Sequence, residues 1–221
     1  MHGALDIQLA LSRDGITWWR AGNRKTFIPV GPAGTWDQIR LHPCSNPPIL
    51  VGDELWFYYR GKAGRHFTVP EHRRGFPWFA PGHPEDDPLY PGEVTFSVGL
   101  AKLRRDGFVS LDAGPRPGML MTKPLVFDGD ELHVNFDTKK GRIRAAVYLA
   151  EFVPGTRYPF ANWKIGDPVP GFTLEDCTPI RENTLDDVLK WKGGGLRQFE
   201  GKNIVLLFEL VQGSFYSFWI E

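Results

Sequence analysis

Cysteine is scarce in this sequence: only Cys44 and Cys177 occur in 221 residues. They are far apart, and neither belongs to a Cys–Cys or Cys–His spacing that holds a metal ion. Two cysteines form one disulfide at most, which excludes a framework of several disulfides. One disulfide between the two remains an alternative, and two buried thiols is the preferred interpretation. We expect neither a bound metal nor a cofactor.

Long hydrophobic runs are lacking as well. The longest, Ile204–Phe208, is far too short to cross a bilayer, so no membrane partner is expected. The first residues, MHGALDIQLA, do not combine a cationic start with a long apolar core, and they therefore predict no signal peptide. The default expectation is a cytoplasmic location. The location stays open, because a leader could precede residue 1 in a longer chain.

An excess of either charge is missing too. Lys plus Arg and Asp plus Glu both number 26, so the formal net charge is zero. A neutral chain does not attract nucleic acid or an anionic membrane through bulk charge, and neither is expected as a partner. The glycine run Gly193–Gly195 is not followed by Lys-Ser or Lys-Thr, which argues against a phosphate-binding loop.

Helical periodicity is absent, and strand periodicity is common. Leu132, Val134 and Phe136 alternate with polar residues, and a turn is predicted next at Lys140-Gly141. Ile204–Leu210 is apolar on both faces, which predicts a central strand. Short strands separated by turn signals predict an all-β chain that includes a β-sandwich.

The segment Leu100–Leu111 divides two halves of different character, 1–105 and 106–221. Arg105–Gly107 lies between apolar runs and predicts a hairpin turn, as does Arg13–Gly15. The first half contains short aromatic strands, and it also contains a segment, 62–93, that carries six prolines. Because proline breaks helices and central strands, the segment is predicted to be a long loop. Its aromatic residues Phe76, Trp78, Phe79 and Tyr90 favour an ordered loop.

Three stretches of the first half carry a family resemblance: DIQLALSRDGITWWRAG, FIPVGPAGTWD and PPILVGDELWFYY. They resemble the later blades of the five-bladed β-propeller glycosidases of glycoside hydrolase families 32 and 43. In the second half, RDGFVSLDAG, PVPGFTLEDCTPI and GKNIVLLFEL resemble the C-terminal β-sandwich of that group. Ser12–Trp18 also resembles the Asp-box hairpin of propeller proteins, which is usually an element of the fold and not of catalysis.

The resemblance implies a partial β-propeller over 1–105 and a jelly-roll-like β-sandwich over 106–221. A blade takes ~40–50 residues, so the first half has room for about two blades. The implied partner is a carbohydrate. The resemblance also implies either self-association or an N-terminal propeller segment that lies elsewhere, since about two blades cannot close a five-bladed ring.

The catalytic motifs of that family are not found. No Trp-Met-Asn-Asp-Pro-type motif with the nucleophile occurs, and both Arg-Asp-Gly turns lack the proline of the Arg-Asp-Pro motif. In Glu175–Cys177 an extra Asp interrupts the Glu-Cys motif of the general acid. Enzyme activity therefore stays uncertain, the catalytic residues are unknown, and we expect the chain alone not to hydrolyse glycosidic bonds.

Four residues are predicted to contact a neutral or weakly charged glycan: Trp36, Asp37, Tyr58 and His66. They lie in loops or at strand positions from which a rigid scaffold presents binding groups. For Asp37 the alternative is a turn cap, for Tyr58 a core position, and for His66 a solvated loop. For the whole chain, the alternatives to a part of a glycoside hydrolase-like protein are a non-catalytic glycan-binding or scaffold protein and an interaction module.

Overall fold

A computed structural model describes residues 5–63, 96–155 and 162–221. Within these ranges it contains fifteen β-strands, two short 3-10 helices and no α-helix, which confirms the all-β prediction. No helix in these ranges is long and apolar enough to span a membrane. His66 and most of the proline-rich segment lie outside the described residues, so the predictions made for them stay predictions.

The strands are numbered in chain order. They are β1 (Ile7–Gln8), β2 (Ala10–Leu11), β3 (Trp19–Arg20), β4 (Thr26–Ile28), β5 (Arg40–Pro43), β6 (Ile49–Val51), β7 (Glu54–Lys62), β8 (Phe96–Arg104), β9 (Leu111–Ala113), β10 (Gly118–Met121), β11 (Leu132–Phe152), β12 (Trp163–Pro168), β13 (Cys177–Thr178), β14 (Thr184–Trp191) and β15 (Ile204–Ile220). The 3-10 helices are Gly22–Arg24 and Leu196–Phe199.

The chain divides into two compact units, Met1–Phe108 and Val109–Glu221, which we call unit 1 and unit 2. In unit 1 the long strand β7 pairs antiparallel with β8 along its whole length. Its other edge pairs with β5 and β6, and the turn Gly52-Asp53 joins β6 to β7. The hairpin β2–β3 and the pair β1–β4 complete the described strands of this unit.

The predicted hairpin at Asp14-Gly15 is confirmed, since β2 and β3 pair across it. One carboxylate oxygen of Asp14 accepts hydrogen bonds from the Ser12 hydroxyl and from the Ile16 and Thr17 amides, at 3.0, 2.9 and 2.7 Å. Because the charged form is bonded this way, chiefly by Thr17 and Ile16, the pKa of Asp14 lies far below its ordinary value. Asp14 therefore serves to hold the turn.

Aromatic side chains pack the inward face of the unit 1 sheet. The ring of Phe57 meets those of Phe27 and Phe108 edge-on, with centroids 5.6 and 6.1 Å apart. Leu41 on β5 is buried as well. Many large apolar side chains of this unit stay exposed, so its described part has only a small core.

In unit 2, β11 and β15 run side by side for most of their length. The sheet has the order β10-β15-β11-β14-β13, with β9 and β12 also paired to β15 and β11. The prediction that Ile204–Leu210 forms a central strand is confirmed. Fully buried apolar side chains from both long strands form the core, among them Leu132, Phe136, Leu206 and Phe208.

The turn predicted at Lys140-Gly141 is wrong, because β11 continues through it. A bulge lies there instead: Thr138 pairs with Gly213, and Arg142 pairs with Val211. The Thr138 hydroxyl donates to the Gln212 carbonyl at 2.6 Å and accepts from the Gly141 amide at 2.7 Å. A Cβ at Gly141 would lie 1.8 Å from the Val211 carbonyl oxygen, so the glycine marks a close approach of two strands.

Two other local predictions need correction. Arg105–Gly107 forms a turn, but not a hairpin, because β8 pairs with β7 and β9 pairs with β15. Both cysteines are free, and the prediction of buried thiols holds for Cys177 only, since Cys44 is exposed. Burial raises the pKa of the Cys177 thiol to about 11, as expected for an inert core residue.

Candidate functional site

Trp36 packs on the inward face of β7. Its ring stacks on that of Tyr59, with centroids 5.8 Å apart and planes inclined by 14°. Gly61, the next inward position of β7, makes room for this loop: a Cβ there would lie 2.3 Å from the Trp36 ring and 2.6 Å from the Asp37 Cβ. Glycine at this position thus lets the loop close onto the strand.

Asp37 is almost enclosed, with 8% of its surface exposed. One carboxylate oxygen accepts a hydrogen bond from the Tyr59 hydroxyl at 3.0 Å, and the other accepts one from the Thr35 hydroxyl at 2.8 Å. Its carbonyl accepts from the Gly31 amide at 3.2 Å. Burial and the neighbouring Asp37 carboxylate raise the pKa of Tyr59. These contacts make Asp37 an anchor of its loop, and contact with a glycan stays a prediction.

Tyr58 points to the other side of β7. Strand alternation gives this side every second residue of β7, and the antiparallel register places every second residue of β8 beside them. We call this surface the outer face, and its residues are Trp56, Tyr58, Arg60, Lys62, Phe96, Val98, Leu100 and Lys102. The structure therefore brings Trp36 and Asp37 together but separates them from Tyr58 by the thickness of the sheet.

The outer face combines exposed apolar surface with positive charge. Tyr58 is 41% exposed, and its cross-strand partner Leu100 is 38% exposed. Val98 and Phe96 follow on the same side of β8 and are 68% and 51% exposed. A contiguous exposed apolar surface often marks a site of interaction with a ligand or a partner. The guanidinium of Arg60 lies 4.6 Å from the centre of the Phe96 ring, and the ammonium of Lys62 lies 5.0 Å from it.

The two ends of the outer face differ in how charge is balanced. At one end the Lys102 ammonium lies 4.5 Å from the centre of the Trp56 ring and 3.1 Å from the Glu54 carboxylate. Hydrogen bonds from the Trp56 indole and from Lys102 lower the pKa of Glu54. At the other end, Arg60 and Lys62 share the Phe96 ring and face Arg40 across the β5–β7 pair. The Glu54 carboxylate thus balances Lys102 at the first end, and Arg60 and Lys62 both lie against the Phe96 ring at the second.

Unit 2 holds two ionisable clusters that the sequence did not reveal. Nδ1 of His133 lies 2.6 Å from an oxygen of Asp186, and its ring stacks on Trp219 at 5.1 Å. The Glu209 carboxylate lies between Arg142 and Arg144, which both donate to it. Each cluster joins residues far apart in sequence through strand register, so no local motif could have indicated it. Both act as cross-strand links within unit 2.

Metal and family comparisons add no further assignment. The described residues contain no group of three or more His, Cys, Asp or Glu side chains placed to hold a metal ion. No known protein family matches the chain, and no curated protein or solved structure matches it either.

Proposed function

We propose that this chain is the glycan-binding part of a glycoside hydrolase-like protein and that the outer face of unit 1 is its binding surface. The observation that carries the proposal is the row of exposed aromatic and apolar side chains on β7 and β8, bordered by cations. The C–H faces of sugar rings are apolar and pack on such side chains, while charged heads beside them bind polar sugar substituents.

The propeller and jelly-roll assignments belong to the same proposal. Support for a blade in unit 1 comes from the antiparallel sheet around β7 and from the bonded Asp14 turn, whose sequence resembles an Asp-box hairpin with one residue fewer between Asp14 and Gly15. Support for a jelly-roll-like sandwich in unit 2 comes from the long paired strands β11 and β15 and their buried faces. In this arrangement Trp36 and Asp37 hold a loop behind the binding sheet.

Replacing Tyr58 by Ala is expected to weaken glycan binding by about tenfold, because an exposed aromatic ring at the middle of a binding surface contributes ~1–2 kcal/mol. Affinity electrophoresis against arabinan, xylan, inulin, galactan, alginate and polygalacturonate measures it, followed by calorimetry with the glycan that binds best. Trp18→Ala is the control, since Trp18 is exposed and belongs to the β2–β3 hairpin, whose strands do not pair with β7 or β8. Equal binding by the parent and the Tyr58 variant would remove the outer face from the site.

The chain alone is expected not to cleave glycosidic bonds. Hydrolysis needs two carboxyl groups ~5 Å or ~6.5–9.5 Å apart across the bond. In unit 1, Asp14 holds a turn, Asp37 anchors a loop and Glu54 pairs with Lys102. Purified protein is assayed with aryl glycosides and with the same polysaccharides. Turnover that disappears in Asp14→Asn or Asp37→Asn would contradict this and make that residue catalytic.

A protein-interaction module is the second candidate, and the exposure of Phe96 and Val98 favours it. A partner chain packed on the outer face would bury these side chains, as sugar rings would. The two functions separate in sedimentation experiments on the purified protein. If the parent self-associates and binds none of the polysaccharides, and Tyr58→Ala abolishes the self-association, the outer face serves protein interaction and not glycan binding.

A further inference from the structure

We propose that the β2–β3 hairpin is a membrane-docking site, which inserts exposed aromatic and aliphatic side chains among the headgroups of an anionic phospholipid bilayer. We call residues 11–20, which include its turn, the hairpin tip. The inference goes beyond the proposed function and does not rest on it. In the described part of unit 1, β2 and β3 pair only with each other, so the hairpin is not a part of the sheet that carries the outer face.

Large apolar side chains of the hairpin tip are exposed to solvent. Ile16 in the turn is 85% exposed, Trp18 is 62% exposed and Trp19 on β3 is 46% exposed. Leu11 is the cross-strand partner of Trp19, lies on the same side of the hairpin and is 37% exposed. The apolar surface therefore covers the end of the hairpin as well as one side of it. A fluid bilayer receives such a projecting end without a matching rigid pocket.

The polar groups of the turn are already bonded within the turn. The Gly15 amide donates to the Ser12 hydroxyl at 2.8 Å, and the next two amides donate to one oxygen of Asp14 at 2.9 and 2.7 Å. The Trp18 indole donates to the Gly15 carbonyl at 3.1 Å. Transfer of unbonded polar groups out of water is costly, so these bonds lower the cost of placing the turn in a bilayer interface. They also hold the turn in one conformation, which limits the entropy lost on binding.

Positive charge accompanies the apolar side chains. Residues 11–25 contain one acid, Asp14, and four exposed cations, which are Arg13, Arg20, Arg24 and Lys25. Cations next to inserted apolar groups are attracted by the negative surface potential of phosphatidylserine-rich membranes. The charged Asp14 limits the depth of insertion, because a carboxylate is costly in the hydrocarbon core. The expected position is therefore the headgroup layer and the first acyl carbons.

Two general properties favour a bilayer over other occupants. Tryptophan is enriched where membranes meet water, because its large ring is apolar and its N–H is polar. Exposed charges act only over about 8 Å at physiological ionic strength, so a bilayer responds to the cations beside the hairpin tip and not to the acids of unit 2. The neutral net charge predicted no membrane partner, and the local excess of cations at residues 11–25 is the reason to depart from that prediction.

Cosedimentation of the full chain with sucrose-loaded vesicles tests the proposal. The vesicles contain phosphatidylcholine alone or phosphatidylcholine mixed with phosphatidylserine. We expect binding to the mixed vesicles to be about tenfold tighter or more, and added salt should reduce this preference. Arg20→Gln should lower the affinity for the mixed vesicles about fivefold and leave the weak binding to phosphatidylcholine unchanged.

Variants of the hairpin tip separate insertion from attraction by charge. Ile16→Asp and Trp18→Ala should each lower the affinity for mixed vesicles about tenfold, since each removes an inserted apolar group. Val126→Asp is the matched control, because it places the same carboxylate at an aliphatic position of unit 2 that is 58% exposed. This control should bind as the parent does. Circular dichroism and the urea midpoint of Ile16→Asp should match those of the parent, because Ile16 is exposed.

Several results would overturn the inference. One is a parent that does not sediment with mixed vesicles, and another is an Ile16→Asp variant that sediments as the parent does. An equal loss in Val126→Asp would show that added negative charge is the cause and not the hairpin tip. Lipid-free self-association that Ile16→Asp abolishes, with no binding to vesicles, would make a second copy of the chain the occupant.

The glycan-binding function is tested separately. If Trp18→Ala weakens binding to a polysaccharide and the parent ignores vesicles, the hairpin tip belongs to the glycan site and the membrane inference is wrong. If no polysaccharide binds while the vesicle results are as expected, the proposed function fails and the membrane inference stands.

Discussion

Replacing Leu206 by Ala is expected to lower the free energy of unfolding of unit 2 by about 2–5 kcal/mol. Leu206 lies on the central strand β15, opposite Val147 of β11, and its side chain is completely buried. Truncation removes apolar contacts and leaves a cavity that the surrounding strands cannot fill, since neighbours on both sides are fixed in the sheet. Unit 2 should nonetheless fold, with the same sheet and a lower denaturation midpoint.

Urea denaturation followed by circular dichroism and tryptophan fluorescence measures the loss. Leu149→Ala is the matched control, because Leu149 lies on β11 of the same sheet but is 43% exposed. This control should lose less than about 1 kcal/mol, since less apolar surface leaves the interior. A loss below about half a kcal/mol for Leu206→Ala would contradict the burial of this residue.

Glu209→Gln is expected to lower the free energy of unfolding of unit 2 by about 2–3 kcal/mol. Breaking a fully buried ion pair costs more, and the loss is smaller here because both arginines are partly exposed. The Glu209 carboxylate is buried and accepts two hydrogen bonds from Arg142 and two from Arg144, the latter through Nε and Nη2. The neutral amide keeps the shape of the side chain but leaves two guanidinium groups without their counter-charge.

The same ion pairs predict a pH dependence. Hydrogen bonds from Arg144 and Arg142 hold the pKa of Glu209 below its ordinary value, against the opposing effect of burial. A carboxyl group with a depressed folded-state pKa stabilises the protein above its unfolded pKa of about 4.3, and that contribution disappears as the pH falls through the lower folded pKa. The difference in stability between parent and variant should therefore be full at pH 6 and shrink steadily below pH about 4.

Urea titrations of both proteins between neutral and acidic pH measure this dependence. Glu182→Gln makes the same chemical change at an exposed position of unit 2 and should leave stability nearly unchanged. Equal stability of parent and Glu209→Gln at neutral pH would show that the arginines gain nothing from Glu209. A difference that stays constant down to acidic pH would show that its charge is not the cause.

Local alternation was enough to predict the all-β class and the faces of single strands. In β7 the sequence places Phe57 and Tyr59 on one side and Trp56 and Tyr58 on the other, and the structure has the same arrangement. It also predicted the central position of Ile204–Leu210, because a strand that is apolar on both faces can only be buried on both.

Contacts between distant segments could not be predicted in this way. The outer face joins β7 and β8, and one residue of register shift would have turned Phe96 and Val98 to the other side of the sheet. A net charge of zero also says nothing of which charges meet: Glu209 lies between Arg142 and Arg144 only because the register of β11 and β15 brings them together. The bulge at Gly141 was mistaken for a turn because glycine serves both, and only the partner strand decides between them.

The candidate site shows the same limit. Trp36 and Asp37 follow a glycine-rich loop, and such loops expose binding residues as often as they pack. What decides here is the Tyr59 hydroxyl, which reaches the Asp37 carboxylate from the strand behind the loop. No spacing in the sequence links positions 37 and 59, so the packing of this loop became visible only with the fold.

The most direct test of the central claim is to observe where a glycan binds. Isotope-labelled protein is titrated with an oligosaccharide of the polysaccharide that binds best, and backbone amide shifts are followed by nuclear magnetic resonance. We expect the largest shifts on Tyr58 and Arg60 of β7 and on Phe96 and Val98 of β8, with saturation at the affinity found by calorimetry. Saturable shifts confined to unit 2, with β7 and β8 unchanged, would contradict it.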